Sequence, residues 1–277
     1  MKKIPLLIVA STLAAITAAQ AETVIFDDAF GSGSTLNSAT PADPTTTNTA
    51  YQMVSSRARA GQGIAAGRLT VGMVASGSAI MECQTLFTTN PVTLDAVGDS
   101  IELRVTFTNT AGLLSGTSQL SFGLYNSGGI NGSIKPVAGG LNGTLLSTET
   151  GAASGNAQGW KGYFGQLAPS GSNHRIANRD AQTGSNNQNQ GTASSGTSSS
   201  PANPAPANVS ANLLSALTLT VGGTYTEVLT ITRNADSSLA ITNTFYSGPE
   251  PGGIPLVTVG GVATNTTYLT GSFDSLS

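Results

Sequence analysis

The chain has 277 residues, 34 of them glycine, with only 9% charged and a formal net charge of −3. Ordinary soluble domains carry roughly a quarter charged residues, so the exterior is expected to be neutral and rich in hydroxyls and amides. A mildly acidic chain without a basic cluster offers no electrostatic footprint for nucleic acid and no polybasic attachment to anionic lipid.

Residues 1–21 have the form of an export signal: Lys2 and Lys3, an apolar run over 4–16, then Ala19-Gln20-Ala21 as a small-x-small cleavage signature. The apolar run is too short to span a bilayer. The mature protein is expected to begin near Glu22, to be secreted or held at the cell surface, and to fold as one domain over 22–277 with no transmembrane segment. Cys83 is the sole cysteine, which excludes an intramolecular disulfide. Met81, Cys83 and Phe87 share one side of an extended segment, where a free cysteine is expected to serve as a small buried hydrophobe.

From there the apolar residues alternate by two, a strand signature. Ile101, Leu103, Val105 and Phe107 point one way and Glu102, Arg104, Thr106 and Thr108 the other. Leu120, Phe122 and Leu124, then Leu217, Leu219 and Val221, then Leu239, Ile241 and Phe245 repeat the pattern. The predicted strands lie near 23–27, 50–56, 68–74, 79–88, 100–109, 118–126, 159–166, 173–178, 217–221, 224–233, 238–246, 255–259 and 268–276. Gly222-Gly223 is a hairpin candidate between 217–221 and 224–233, and 234–237 turns the chain into the next strand. Many short strands without a capped amphipathic helix predict an all-β, two-sheet antiparallel β-sandwich. Residues 126–158 are expected to be long loops with room for one short hairpin. Residues 181–212 are of low complexity, uncharged and non-aromatic, and are expected to form a flexible insertion within the domain, the alternative being an interdomain linker.

Three strings carry a family likeness. Val24-Ile25-Phe26-Asp27-Asp28-Ala29-Phe30, the paired segments 227–233 and 238–245 around Arg233-Asn234-Ala235-Asp236, and Gly271-Ser272-Phe273-Asp274-Ser275-Leu276 resemble the first strand, a late hairpin and the closing strand of concanavalin A-like, laminin-G-like jelly rolls of secreted bacterial proteins. The resemblance implies a closing strand that returns beside the first. It also implies membership in a group of lectins, adhesion modules, glucanases and surface proteins, so fold alone assigns no activity. Similar proteins often continue into a Pro-Glu-Pro sorting tail, and the sequence stops at Ser277 without one.

Glycoside hydrolysis needs two carboxyls facing each other across the scissile bond, yet no two acids here stand at i and i+2. His174 is the sole histidine, too few for a zinc site of usual composition, and is expected to be exposed or locally hydrogen-bonded. No cofactor is expected. Calcium, which takes carboxylate oxygens, has candidates in Asp27, Asp28 and Asp274, the alternative being solvated edge acids that block sheet aggregation. Trp160, Lys161, Tyr163 and Phe164 are the densest aromatic cluster, with Trp160 and Phe164 on one strand face and Tyr163 on the other. These rings are either core or, with Tyr125 and Asn126, a sugar-stacking platform. Arg57, Arg59 and Arg68 are the local basic grouping, either solvated edge charges or a reader of acidic glycan. The expected function is a non-catalytic extracellular module that binds glycan or mediates surface contact. The alternatives are a structural surface or matrix protein without a small ligand, and a hydrolase with acids drawn from separate strands.

Overall fold

The computed structural model of the chain describes residues 22–31, 51–55, 63–64, 67–72, 81–88, 90–110, 120–127, 145–146, 160–168, 174–179, 208–211, 213–215, 217–249, 255–264 and 269–277. Residues 1–21, Arg57, Arg59 and nearly all of the 181–212 segment lie outside them. Every regular element among the described residues is a strand. In chain order these are β1 (Tyr51–Ser55), β2 (Gly63–Ile64), β3 (Leu69–Thr70), β4 (Met81–Leu86), β5 (Val92–Thr93), β6 (Ser100–Thr108), β7 (Leu120–Asn126), β8 (Leu145–Leu146), β9 (Lys161–Leu167), β10 (Arg175–Arg179), β11 (Thr224–Arg233), β12 (Leu239–Ser247), β13 (Pro255–Ala263), β14 (Ser272–Phe273) and β15 (Ser275–Leu276). No helix among them is long and apolar enough to cross a membrane.

Two sheets dominate, a four-stranded sheet ordered β13-β12-β11-β6 and a seven-stranded sheet ordered β10-β9-β7-β15-β4-β1-β8. The small sheet is fully antiparallel. The large one departs from the antiparallel expectation at one place, where β1 and β8 run parallel, Met53 opposite Leu145. Strand β8 itself falls in the 126–158 segment, where long loops and at most one short hairpin are expected.

The alternation does the folding. On β6, Ile101 and Leu103 are buried while Glu102 and Arg104 are exposed, as period-two side chains on a half-wet sheet must be. Ile101, Leu103, Leu229, Ile231, Ile241 and Val259 of the small sheet share one core with Leu124, Tyr163 and Ile176 of the large one. Fully burying such side chains stabilises by about 1.5–3 kcal/mol each. That area replaces the cross-links the chain lacks.

Two expectations fail at glycines. Residues 217–221 form no strand: Leu219 is buried, but Val221 is exposed. The Val221-Gly222 turn instead docks on the end of β6, with Gly222 N donating to Asn109 O at 2.7 Å and Asn109 N to Gly223 O at 3.0 Å. Gly222 takes φ of 80° there, a region that suits glycine. Conversely β13 runs through Gly260-Gly261 to Ala263, beyond the expected 255–259. A side chain at Gly261 would press on Val209 O at 2.6 Å, so that glycine admits a neighbouring backbone rather than ending a strand.

The closing segment departs from one expectation, that it returns beside the first strand. Among the described residues its partners are β5 for β14, and β4 and β7 for β15, not the 23–27 segment. It inserts as a central strand of the large sheet, pinned by Phe87 N to Asp274 O and Asp274 N to Tyr125 O, at 2.9 and 3.0 Å.

Candidate functional site

The registers of the large sheet put Arg179, Gly162, Tyr125, Ser275 and Leu86 in one row across five strands. The next row carries Ala177, Phe164 and Gly123, with Ser277 bonded to the Gly123 backbone. On β4, Gln84 and Glu82 follow Leu86 at the same two-residue period. All of these point away from the shared core. Two glycines shape this outer face. Tyr125 lies along its own strand over Gly123, where an added Cβ would meet the Tyr125 hydroxyl at 2.5 Å and Phe164 Cβ at 2.7 Å. Gly162 leaves room beside Tyr125 in the same way, its Cβ position being 2.7 Å from Tyr125 Cα.

Trp160 completes the group, its ring centroid 6.2 Å from that of Tyr125 and packed with Phe164 and Ala177. Its carbonyl accepts Arg179 NH1 at 3.1 Å. Gln84 Nε2 donates to Glu82 Oε1 at 2.6 Å. Trp160 and Tyr125 are wholly buried, Glu82 is 3% exposed and Arg179 2%. Strands are spaced about 4.8 Å apart, so Glu82 on β4 and Arg179 on β10 bracket Tyr125 from opposite sides. Burial first, then the Glu82 charge, pushes the Tyr125 phenol up, opposed by the Ser277 hydroxyl and Arg179. Tyr125 is therefore a neutral donor at any ordinary pH. Ser277 comes near enough to bias that proton, yet the Tyr125 hydroxyl, Ser277 Oγ and Trp160 Nε1 complete no hydrogen bond. Buried polar atoms without partners are uncommon in folded proteins, and here three share one face.

Of the four residues expected to bind ligand, this face gathers two. Trp160 and Tyr125 meet, but as buried rings rather than an exposed stacking platform, because the face is covered. Tyr163 and Asn126 belong to the opposite side. The Tyr163 hydroxyl accepts Leu269 N at 2.8 Å inside the shared core. Asn126 Nδ2 donates to Thr270 Oγ1 at 3.4 Å. The alternation already separated Tyr163 from Trp160. Glu82, Gln84, Arg179 and Ser277 were missed, although the parity of Glu82 and Gln84 opposite to Cys83 was a usable signal.

The calcium trio is not gathered. Asp27 is exposed, Asp28 Oδ1 caps Phe30 N at 2.7 Å, and Asp274 accepts Ser127 N at 2.7 Å and Ser127 Oγ at 2.6 Å. Asp274 is spent on structure, tying β7 to the closing segment. Among the described residues no three His, Cys, Asp or Glu groups stand together as a metal site. Arg68 is exposed. Cys83 packs, half-buried, on Ile64, and burial followed by the Glu82 charge pushes its thiol up, away from reactivity. His174 is fully buried, not exposed. Its Nδ1 accepts Ala168 N at 3.3 Å and its Nε2 donates to Ser215 O at 2.6 Å, a pattern that requires the Nε2–H tautomer.

No family model, curated protein or solved structure matches the chain.

Proposed function

We propose that the protein is an exported, non-catalytic β-sandwich of the concanavalin A-like jelly-roll kind that recognises a hydroxyl-rich glycan through the outer face of its large sheet. One observation carries this reading: Trp160 Nε1, the Tyr125 hydroxyl and Ser277 Oγ lie unpartnered on that face, beside the Gln84–Glu82 pair and Arg179. A sugar supplies what they lack, hydroxyls that accept and donate, and an apolar ring face for the aromatic pair. The two sheets sharing one core support the sandwich, and the signal-like residues 1–21 support export to the surface or beyond.

The non-catalytic part draws support from the scatter of buried acids. Glu82 faces outward from the large sheet, Glu227 lies between the sheets, and Asp274 is held by Ser127. A second reading, a structural surface or matrix protein without a small ligand, is favoured by the complete burial of Trp160 and Tyr125. A ligand must displace whatever covers them.

Purified protein on an array of neutral and acidic glycans decides between the two. Binding that Trp160→Phe and Tyr125→Phe abolish, with melting temperature preserved, upholds glycan recognition. Silence across the array overturns it in favour of the structural protein, and turnover of any polysaccharide overturns the non-catalytic assignment.

A further inference from the structure

Strand β11 reads Thr224-Tyr225-Thr226-Glu227-Val228-Leu229-Thr230-Ile231, and its alternation places Glu227 on the same side as Leu229 and Ile231, the interior side. Glu227 is 1% exposed. Its cross-strand neighbours are Val105 and Phe245. A polar side chain beside it is Asn243 of β12, which is itself 3% exposed and packs against Gly165 of β9 across the gap between the sheets.

Among the described residues no cation faces this carboxyl, and burial and Asn243 alone bear on it. On β11, Tyr225 lies two residues away with its hydroxyl accepting Thr220 N at 2.8 Å, and Arg233, at the far end, donates to Leu94 O at 3.1 Å. From β9, Tyr163 is held by Leu269 N. On the segment leading into β10, His174 is held by Ala168 and Ser215. The Glu102–Arg104 ion pair of β6 lies on that sheet's opposite, wet face. Both Glu227 oxygens and Asn243 Oδ1 complete no well-formed hydrogen bond, although Asn243 stands near enough to bear on the carboxyl. An ionised carboxylate is acceptor-only, whereas the acid brings an O–H that an amide oxygen can take.

We infer that Glu227 and Asn243 form an alkali-sensitive seam between the two sheets: the interior holds Glu227 as the neutral acid and loosens when it ionises. Burial pushes this carboxyl from its ordinary 4.5 up to about 8, while the neighbouring Asn243 side chain pulls the other way. The folded pKa is raised, so the folded chain retains a proton that the unfolded chain has released. Stability is fully present below about 4.5, falls as pH rises towards 8, and levels off beyond, where both states are ionised. A one-proton difference raises the unfolding constant about tenfold per pH unit.

The test is urea unfolding of the purified chain from pH 5 to 9, beside Glu227→Gln. The wild-type unfolding constant is expected to climb about tenfold per pH unit faster than the variant's between pH 5.5 and 7.5, and parallel pH profiles overturn the inference. If the glutamine variant does not fold, Glu227→Met replaces it in the same comparison. Difference infrared spectroscopy of folded wild type gives an independent readout. A carboxylic-acid carbonyl band present at pH 6 and lost by pH 9 is expected; its absence at pH 6 overturns the seam.

Discussion

The outer faces of the two sheets obey the same alternation and reach opposite ends. On the small sheet, threonines face outward and satisfy one another. Thr106 and Thr226 meet at 3.0 Å, Thr108 and Thr224 at 3.0 Å, and Thr258 and Thr244 at 3.3 Å. Short β-branched hydroxyls suit a pleated surface: Thr106, Thr108 and Thr258 stay exposed, while the covered Thr226 and Thr244 bond to their neighbours. On the large sheet the same outward positions carry Tyr125, Phe164, Gln84, Glu82 and Arg179, which are long or aromatic, and these are buried with three neighbouring polar atoms unpaired. The difference teaches that polarity at alternate positions does not decide whether a face satisfies its own hydrogen bonds; side-chain size and neighbouring glycines do. A face of hydroxyls closes its hydrogen bonds within itself, while a face of large amphipathic side chains over Gly123 and Gly162 needs partners from elsewhere.

The largest expected effect comes from emptying that second face. Trp160→Ala removes a wholly buried ring and should cost about 4 kcal/mol in urea unfolding. A loss below about 1 kcal/mol would mean the ring is not packed as described. Next comes the clasp behind it. Asp274→Ala strands Ser127 N and Oγ without their acceptor, and unpaired buried donors are costly, so about 3 kcal/mol is expected. Because both Asp274 oxygens are engaged by Ser127 as a tether, excess chelator should leave the melting temperature of wild type unchanged; a drop would support the calcium reading.

How much of this the sequence disclosed depends on the kind of statement. Apart from β8 and the unformed 217–221, strand positions from β6 onward were legible because Ile101 and Leu103 alternate cleanly with Glu102 and Arg104, and because turn chemistry at 234–237 is strong: Asp236 accepts Ser238 N and Oγ at 3.0 and 2.6 Å. The hydrogen bonds from Ser238 hold the exposed Asp236 carboxyl below its ordinary value, as ties to the charged form do. Gly222-Gly223 and Gly260-Gly261 look alike as text, yet one turns the chain and the other lies inside β13, since what decides is a backbone that approaches from far along the sequence. The same holds for the site. Parity separated Trp160 from Tyr163, but both faces of the large sheet turned out to be buried, and a strand alone cannot announce what lies over it. Glu227 was one acid among fourteen. Its company of Tyr225, Leu229 and Ile231 at alternate positions was the signal that marks it as interior.

The comparison sharpens when one hydroxyl is removed from each sheet. On the small sheet Thr226 is fully buried, and its Oγ1 both meets Thr106 and donates to Gly248 O at 2.9 Å. Thr226→Val preserves shape and deletes these bonds, which should cost about 1.5 kcal/mol. A neutral result would show that the threonine ladder contributes no stability and that the strands are held by their inner faces alone.

The smallest effect is expected at Tyr125, and its smallness is the informative part. Its hydroxyl has no completed hydrogen bond and is fully buried, so the native structure already bears the cost of having desolvated it. Tyr125→Phe retains the ring against Trp160 and removes the atom that lacks a partner, and removing an unsatisfied polar group is close to neutral or stabilising. Urea unfolding should therefore shift by less than about 0.5 kcal/mol, and upward if at all. A loss comparable to that of Thr226→Val would mean that the Tyr125 hydroxyl is bonded in solution, to Ser277 or to water. The contrast between a self-satisfied sheet face and one that waits for a ligand would then disappear.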